Sequence, residues 1–355
     1  MTGDARWMDV WTRAVIVPAW RRASAVWVGT AIAGGVIFGP SSMHPAELTG
    51  LALHHAGVGI TLVVTWVLVF APTARLIVRA EAAAYLQSLP GPLYAPRWIG
   101  GGALIGLQLP WLALWIVGEG LLGLAVVAAV TLAILALARW RPPPLRTGWP
   151  GWRDEGSALR SIHVRALRRR AGDALVRGAG LSLLAGATAG LFVRNNALAG
   201  PDAAVVGTSV IAIVLVPAEV GVLLVILATH RTTAWMAASL GIAYRTRALA
   251  VVYAIALVQL AATVIAIAAA SILAELDGAT VCWLAGTALT VAAASAMGCA
   301  RVLLAAEDSP TIAARAVVGS VVVAAAAVLC LGLFGEAGAG AFAATCALAL
   351  LTVRS

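Results

Sequence analysis

Apolar residues run through this chain in long unbroken stretches, separated by short segments that hold most of the charge. "LVVTWVLVFA" (62–71) and "VVVAAAAVLCLGLF" (321–334) carry no charged residue at all. Continuous apolarity over ~18 or more residues marks a helix that crosses a bilayer, whereas barrel strands alternate polar and apolar positions over ~10 residues. The pattern predicts ten spans, at about 24–40, 54–73, 98–117, 120–138, 176–194, 205–228, 248–273, 279–300, 314–334 and 338–353. The first and last are short for a hydrocarbon core ~30 Å thick.

Before the first span the period changes. Trp7, Val10, Trp11, Ala14, Val15 and Pro18 recur at helical spacing, with Asp9, Arg13 and Arg21 on other faces. That predicts an amphipathic helix over 5–22 lying in the membrane interface, and not a signal peptide.

Charge then orients the spans. All 24 basic residues are Arg. They fall in 1–23, 74–97, 139–177, 229–247, 301–315 and at Arg354, while the alternate loops 41–53, 118–119, 195–204, 274–278 and 335–337 have none. Arg194 is the exception, at an outer edge. Basic loops face the cytoplasm. The expectation is therefore a multi-pass protein of the cell inner (plasma) membrane with both termini cytoplasmic. Arg168, Arg169 and Arg170 then suit anionic headgroups. The net charge of +9 has the same origin, so nucleic acid is not an expected partner. A hydrophobic content of 62% with a mean hydropathy of +0.97 exceeds what a soluble domain of 355 residues can bury.

The spans form two weakly similar halves. At an offset of 151, Ser88 and Leu89 match Ser239 and Leu240, and Gln108 matches Gln259. Each half opens with a basic helix, so the repeat is parallel, as in transporters built by tandem duplication. The predicted organisation is a first membrane half (1–145), a cytoplasmic linker and basic helix (146–177), a second half (178–303) and a C-terminal hairpin (304–355). "RPPPLRTGWPGW" (141–152), with three successive prolines that stop a helix, puts the boundary near 150.

Composition excludes much chemistry. Without Lys there is no phosphate-binding P-loop and no Schiff base. Cys282, Cys299, Cys330 and Cys346 lie in spans without metal-ligand spacing and read as packing residues. His44, His54 and His55 near Glu47 make a weak zinc set, and no metal or cofactor is expected. No catalytic set is recognisable, so the chain is not expected to be an enzyme. Gly35 and Gly39, Gly102 and Gly106, and Gly186 and Gly190 form GxxxG pairs for close helix packing, within the chain or in a homodimer. The most anomalous residue is Glu219 in "IVLVPAEVGVLLVI", two past Pro217. A carboxylate at that depth is costly unless paired, protonated or facing water. It is either a gate, proton site or cargo contact, or a structural group satisfied by a neighbour. Gln108 and Gln259 are intramembrane polar residues suited to interhelical hydrogen bonds.

One polar interruption stands out: "RLIVRAEAAAYLQSLPGPLYAPRW" (75–98). Glu81, Tyr85-Leu86, Ser88-Leu89-Pro90 and Arg97 resemble the segment after the second span of type-2 ABC exporter permeases, and the helix before span one resembles their elbow helix. The resemblance covers roughly 5–117, with an echo at 158–270, although that family usually has six spans per subunit. It implies a permease whose cytoplasmic helices dock on a separate ABC ATPase subunit. The contacts would be Arg79, Glu81, Tyr85, Leu89 and Pro90, with Arg231 and Trp235 in the second half. A proton-coupled secondary transporter using Glu219, and a non-transporting scaffold or assembly factor, are the alternatives.

Overall fold

The computed structural model describes residues 3–39, 43–88, 95–140, 154–305 and 311–352. Among these every element is helical. The order is α1 (Gly3–Trp11), a π-helical turn (Thr12–Ile16), α2 (Val17–Ile37), α3 (Pro45–His54), α4 (Ala56–Arg79), a 3-10 helix (Glu81–Ser88), α5 (Ala95–Leu107), α6 (Leu109–Glu119) and α7 (Leu121–Arg139). The second half holds α8 (Glu155–Arg170), α9 (Gly172–Asn195), α10 (Gly200–Ser239), α11 (Tyr244–Ala274), α12 (Gly278–Ala305), α13 (Ile312–Phe334) and α14 (Glu336–Leu351). The expected boundary near 150 lies outside the described residues.

Seven helices are long and apolar enough to cross a membrane, namely α4, α7, α9, α10, α11, α12 and α13. The expected third span is instead two helices, α5 and α6, bent by 62° at Gln108. Pro110 explains the break, because it removes one amide donor and disfavours helical geometry in the residue before it. The expected first and last spans fall on α2 and α14, helices outside that set of seven. The N-terminal helix does not stand apart as an elbow. It runs through the π turn into α2, with Trp11, Val15, Ala19, Ala23 and Val26 buried at intervals of four, four, four and three residues.

Two segments expected as loops are helical. The outer loop 41–53 holds α3, whose N-terminus is a capping box between His44 and Glu47 with Pro45 at its start. The expected polar segment 229–245 is mostly the end of α10. At 40 residues that helix is ~60 Å long, about twice the hydrocarbon core.

α9 is the centre of the bundle, packed on α4, α10 and α11. Gly186 and Gly190 make the approach to α11 possible. A Cβ on Gly186 would strike the backbone of Ala266, and one on Gly190 would lie 2.8 Å from the Ala270 carbonyl oxygen. The other two expected glycine pairs differ. Gly35, Gly102 and Gly106 have open space around them, and Gly39 meets only its own helix.

The two halves exchange equivalent contacts. Gly29 of α2 packs near Leu181 of α9 and Pro217 of α10, while Gly180 of α9 packs on Leu68 and Val69 of α4. Gly29 and Gly180 are themselves 151 apart, as are Ser88 and Ser239, the last residues of the 3-10 helix and of α10. The starts of α2 and α9 meet through Arg22 and Asp173, 3.7 Å apart. Gly29, Arg22 and their counterparts 151 residues on, Gly180 and Asp173, thus lie where α2, α4, α9 and α10 meet.

Helix direction sorts the charges. Arg22, Arg75, Arg79, Arg139, Arg168, Arg177, Arg231 and Arg301 share one end of the bundle, hereafter the basic end. Arg194 lies at the opposite end, where it pairs with Glu275 at 3.7 Å and donates to the Leu273 carbonyl.

Candidate functional site

Midway along α10, the helix runs through Pro217 without interruption and presents Glu219 to the interior of the second half. Gln259 of α11 faces the carboxylate. Its amide nitrogen also donates weakly to Cys299 Sγ of α12, 3.9 Å away. Gln259 is 3% exposed, and its carbonyl oxygen has no hydrogen-bond partner. Among the described residues no Arg or His pairs with Glu219.

Glu219 lies between two cavities. On its basic-end side is a cavity of about 260 Å³, walled by α8, α9, α10 and α11 and lined mostly by aliphatic residues. Towards the opposite end is a smaller one of about 30 Å³, lined by hydroxyls of Thr208, Thr263, Ser295 and Ser320. That volume and lining suit one or two waters, since a buried water needs ~10–15 Å³ and polar partners. Thr208 Oγ1 is buried without a partner there. The carboxylate therefore has a dry side and a polar side, separated by its own side chain.

Gln108, the other expected intramembrane glutamine, makes interhelical hydrogen bonds. Its carbonyl oxygen accepts from Trp66 Nε1 of α4 at 3.4 Å and from Thr131 of α7 at 3.3 Å. It is not brought near Gln259 or Glu219. The two glutamines are 151 residues apart in the sequence, and Gln259 borders a cavity.

The expected partner contacts lie at the basic end. Ala80, left-handed at φ 44°, closes α4 and starts the 3-10 helix. In a three-residue repeat side chains at i and i+3 align, so Ala83 and Leu86 share the buried edge and leave Tyr85 outward, 56% exposed. The Leu86 carbonyl accepts from Trp7 Nε1 at 3.4 Å, which holds this segment on α1. Glu81 is exposed. Arg79 is engaged internally, donating to the carbonyls of Ala138 at 3.0 Å and Trp140 at 2.7 Å beyond the end of α7. Leu89 and Pro90 lie outside the described residues. In the second half Arg231 and Trp235 are exposed on the projecting end of α10, Trp235 to 72%.

Sequence reasoning missed the brace beside Trp235. Asp154 and Ser157 cap α8, and its stripe Leu159, His163, Leu167 packs on α10 and α11. His163 and His230 meet there with ring centroids 6.3 Å apart. Burial holds the His163 imidazole below its ordinary pKa, with His230 adding to the same direction. The four-residue spacing of Leu159, His163 and Leu167 was the available signal.

At the opposite end, Thr49 of α3 donates to Glu119 of α6 at 2.9 Å. The histidines there serve locally. His44 caps α3 with Glu47, and His54 contacts the Gly50 carbonyl at 2.7 Å. Cys299 and Cys346 are buried, Cys330 is half-buried and Cys282 is exposed on the helix surface.

Comparison with family models, with curated proteins and with solved structures gave no match for this chain. The chain's class is thus that of its fold and composition, a multi-pass α-helical membrane protein.

Proposed function

We propose that this chain is the membrane-spanning permease subunit of an ABC-type exporter, driven by a separate ATPase chain. The observation that carries the reading is the paired construction of the basic end. Each half sends one long helix to that end, α4 with its 3-10 extension and α10, and each finishes in an exposed aromatic, Tyr85 or Trp235. Two equivalent projecting ends suit two equivalent partner surfaces, such as the two copies of an ATPase that close on ATP. Closure would draw the ends together, tilt α4 and α10 about the α2–α9 contact, and change which cavity beside Glu219 is open. In this reading the basic end is cytoplasmic, both termini lie there, and the chain crosses the inner membrane ten times, with α2, the bent pair and α14 each counted as one crossing. The arginines of α8 rest against anionic lipid.

The test is purification of the tagged chain from its own membrane in mild detergent, followed by identification of bound chains. Recovery of a P-loop ATPase in stoichiometric amount supports the reading. A functional chain that purifies without one overturns it.

A second reading, a proton-coupled carrier, is favoured by one observation: Glu219 stands between an apolar cavity and a small polar one. Transport that stops on addition of an uncoupler while ATP is held constant would select it.

A further inference from the structure

The cavity on the basic-end side of Glu219 is a built site rather than a packing gap. Its volume, about 260 Å³, is just below the ~300–1,000 Å³ typical of small-molecule pockets. Leu167, Leu175, Val222 and Leu257 supply an aliphatic wall. Its polar groups are acceptors set deep in it, the Glu219 carboxylate and the Gln259 carbonyl oxygen, and the latter is buried with no donor. Ser182 also borders the cavity, but its hydroxyl proton goes to the Gly178 carbonyl at 2.8 Å. The Gln259 carbonyl oxygen has no donor, and the half-buried Glu219 carboxylate has the Gln259 amide but no counter-charge among the described residues. A buried polar group without a partner costs free energy, and a buried charge costs more.

We propose that this cavity binds a lipophilic cation, an amine or ammonium on an apolar body, with the charge held between Glu219 and Gln259. An anion would meet the carboxylate and find its only cationic neighbour, Arg168, exposed on α8. A neutral hydrocarbon would fill the walls and leave the Gln259 carbonyl oxygen unpaired and the Glu219 carboxylate without a counter-charge. A cation satisfies both and buries its apolar body against the four helices. Arg168 of α8 borders the cavity and opposes a cation there. The inference goes beyond the coupling reading, because binding is expected whichever energy source drives the protein.

The experiment uses the full chain in lipid nanodiscs, titrated calorimetrically with 4-phenylbutylamine, its uncharged analogue 4-phenylbutanol and its anionic analogue 4-phenylbutyrate. The amine is expected to bind saturably and at least about tenfold more tightly than the alcohol, the size of a charge-assisted hydrogen bond. Glu219→Gln should abolish that preference, and Arg168→Glu should strengthen amine binding. Ala262→Leu, which fills the cavity without touching the acceptors, should weaken amine and alcohol together. It also keeps the test informative if Glu219→Gln does not fold. Equal binding of amine and alcohol overturns the proposal, as does tighter binding of the butyrate or a preference that survives Glu219→Gln. Absence of amine binding in a chain that still co-purifies with an ATPase refutes this inference alone. Amine binding without any ATPase refutes only the coupling reading.

Discussion

Arg22 and Asp173 occupy corresponding positions in the two halves of the chain and form an ion pair with each other at 3.7 Å. Asp173 also reaches Arg75 of α4 at 3.8 Å. One carboxylate therefore links α2, α4 and α9.

Asp173→Asn should loosen that junction modestly, by about 1 kcal/mol, since both pairs are partly exposed and such pairs are weak. Thermal unfolding of Arg22→Gln, Asp173→Asn and the double variant in detergent, treated as a double-mutant cycle, measures the Arg22 pair. Strictly additive losses would mean that the Arg22 contact contributes nothing.

Gly186→Ala should be far more damaging than Gly102→Ala, although both glycines sit in GxxxG pairs. The new Cβ at 186 meets the Ala266 backbone, which cannot move aside as a side chain can, whereas nothing lies near Gly102. A loss of about 1–3 kcal/mol is expected for the first and close to none for the second. Comparable melting temperatures for the two variants would contradict the α9–α11 packing.

The docking of α8 should weaken in acid. The folded His163 imidazole titrates below its ordinary value of 6.5 because it is buried. Between the folded and ordinary values the unfolded state binds more protons, so stability is complete above about 6.5 and falls as pH drops below it. Protection factors against hydrogen exchange over Glu155–Arg170 should fall between neutral and mildly acid pH, and His163→Phe should remove that dependence. A wild-type exchange rate that follows only the intrinsic pH trend would refute it.

Trp235→Ala and Tyr85→Ala should leave the melting temperature unchanged, as both side chains are mainly exposed. On the permease reading each should lower ATPase co-purification, and the double variant should abolish it. Full recovery of the ATPase with the double variant would remove these aromatics from the interface.

Glu219→Leu should stabilise the detergent-solubilised chain by about 1–3 kcal/mol, because it removes a poorly satisfied polar group from the bundle interior. On either transport reading the same change should eliminate transport. Stability lost and transport kept would assign Glu219 a purely structural role.

The division between legible and illegible features follows the range of the forces involved. The all-helical, multi-pass architecture was readable because bilayer crossing imposes a local rule on composition, and Arg placement reported helix direction. Glu219 was readable as an anomaly of the same rule. What Glu219 faces was not, since Gln259, Cys299 and Thr208 come from three helices and their meeting depends on packing. Arg79 shows the limit most clearly. In sequence it marks a membrane exit, and only the fold reveals that it holds the end of α7. The α3 capping box was local, yet the absence of Arg around it suggested an outer loop. The bend at Gln108 was hidden because Pro110 sits in an otherwise uninterrupted apolar run.

The length of α10 has a mechanical consequence. Trp235 lies 18 residues beyond Pro217, ~27 Å along the helix, and Glu219 lies two residues beyond it, ~3 Å. If the helix yields at the proline, where an amide hydrogen bond is missing, α10 is a reducing lever with a ratio of roughly nine to one. A partner that swings the outer arm by several ångströms then shifts the carboxylate by only a fraction of one. That is the scale on which a hydrogen bond is made or broken, and it is too small to tear the surrounding helices apart.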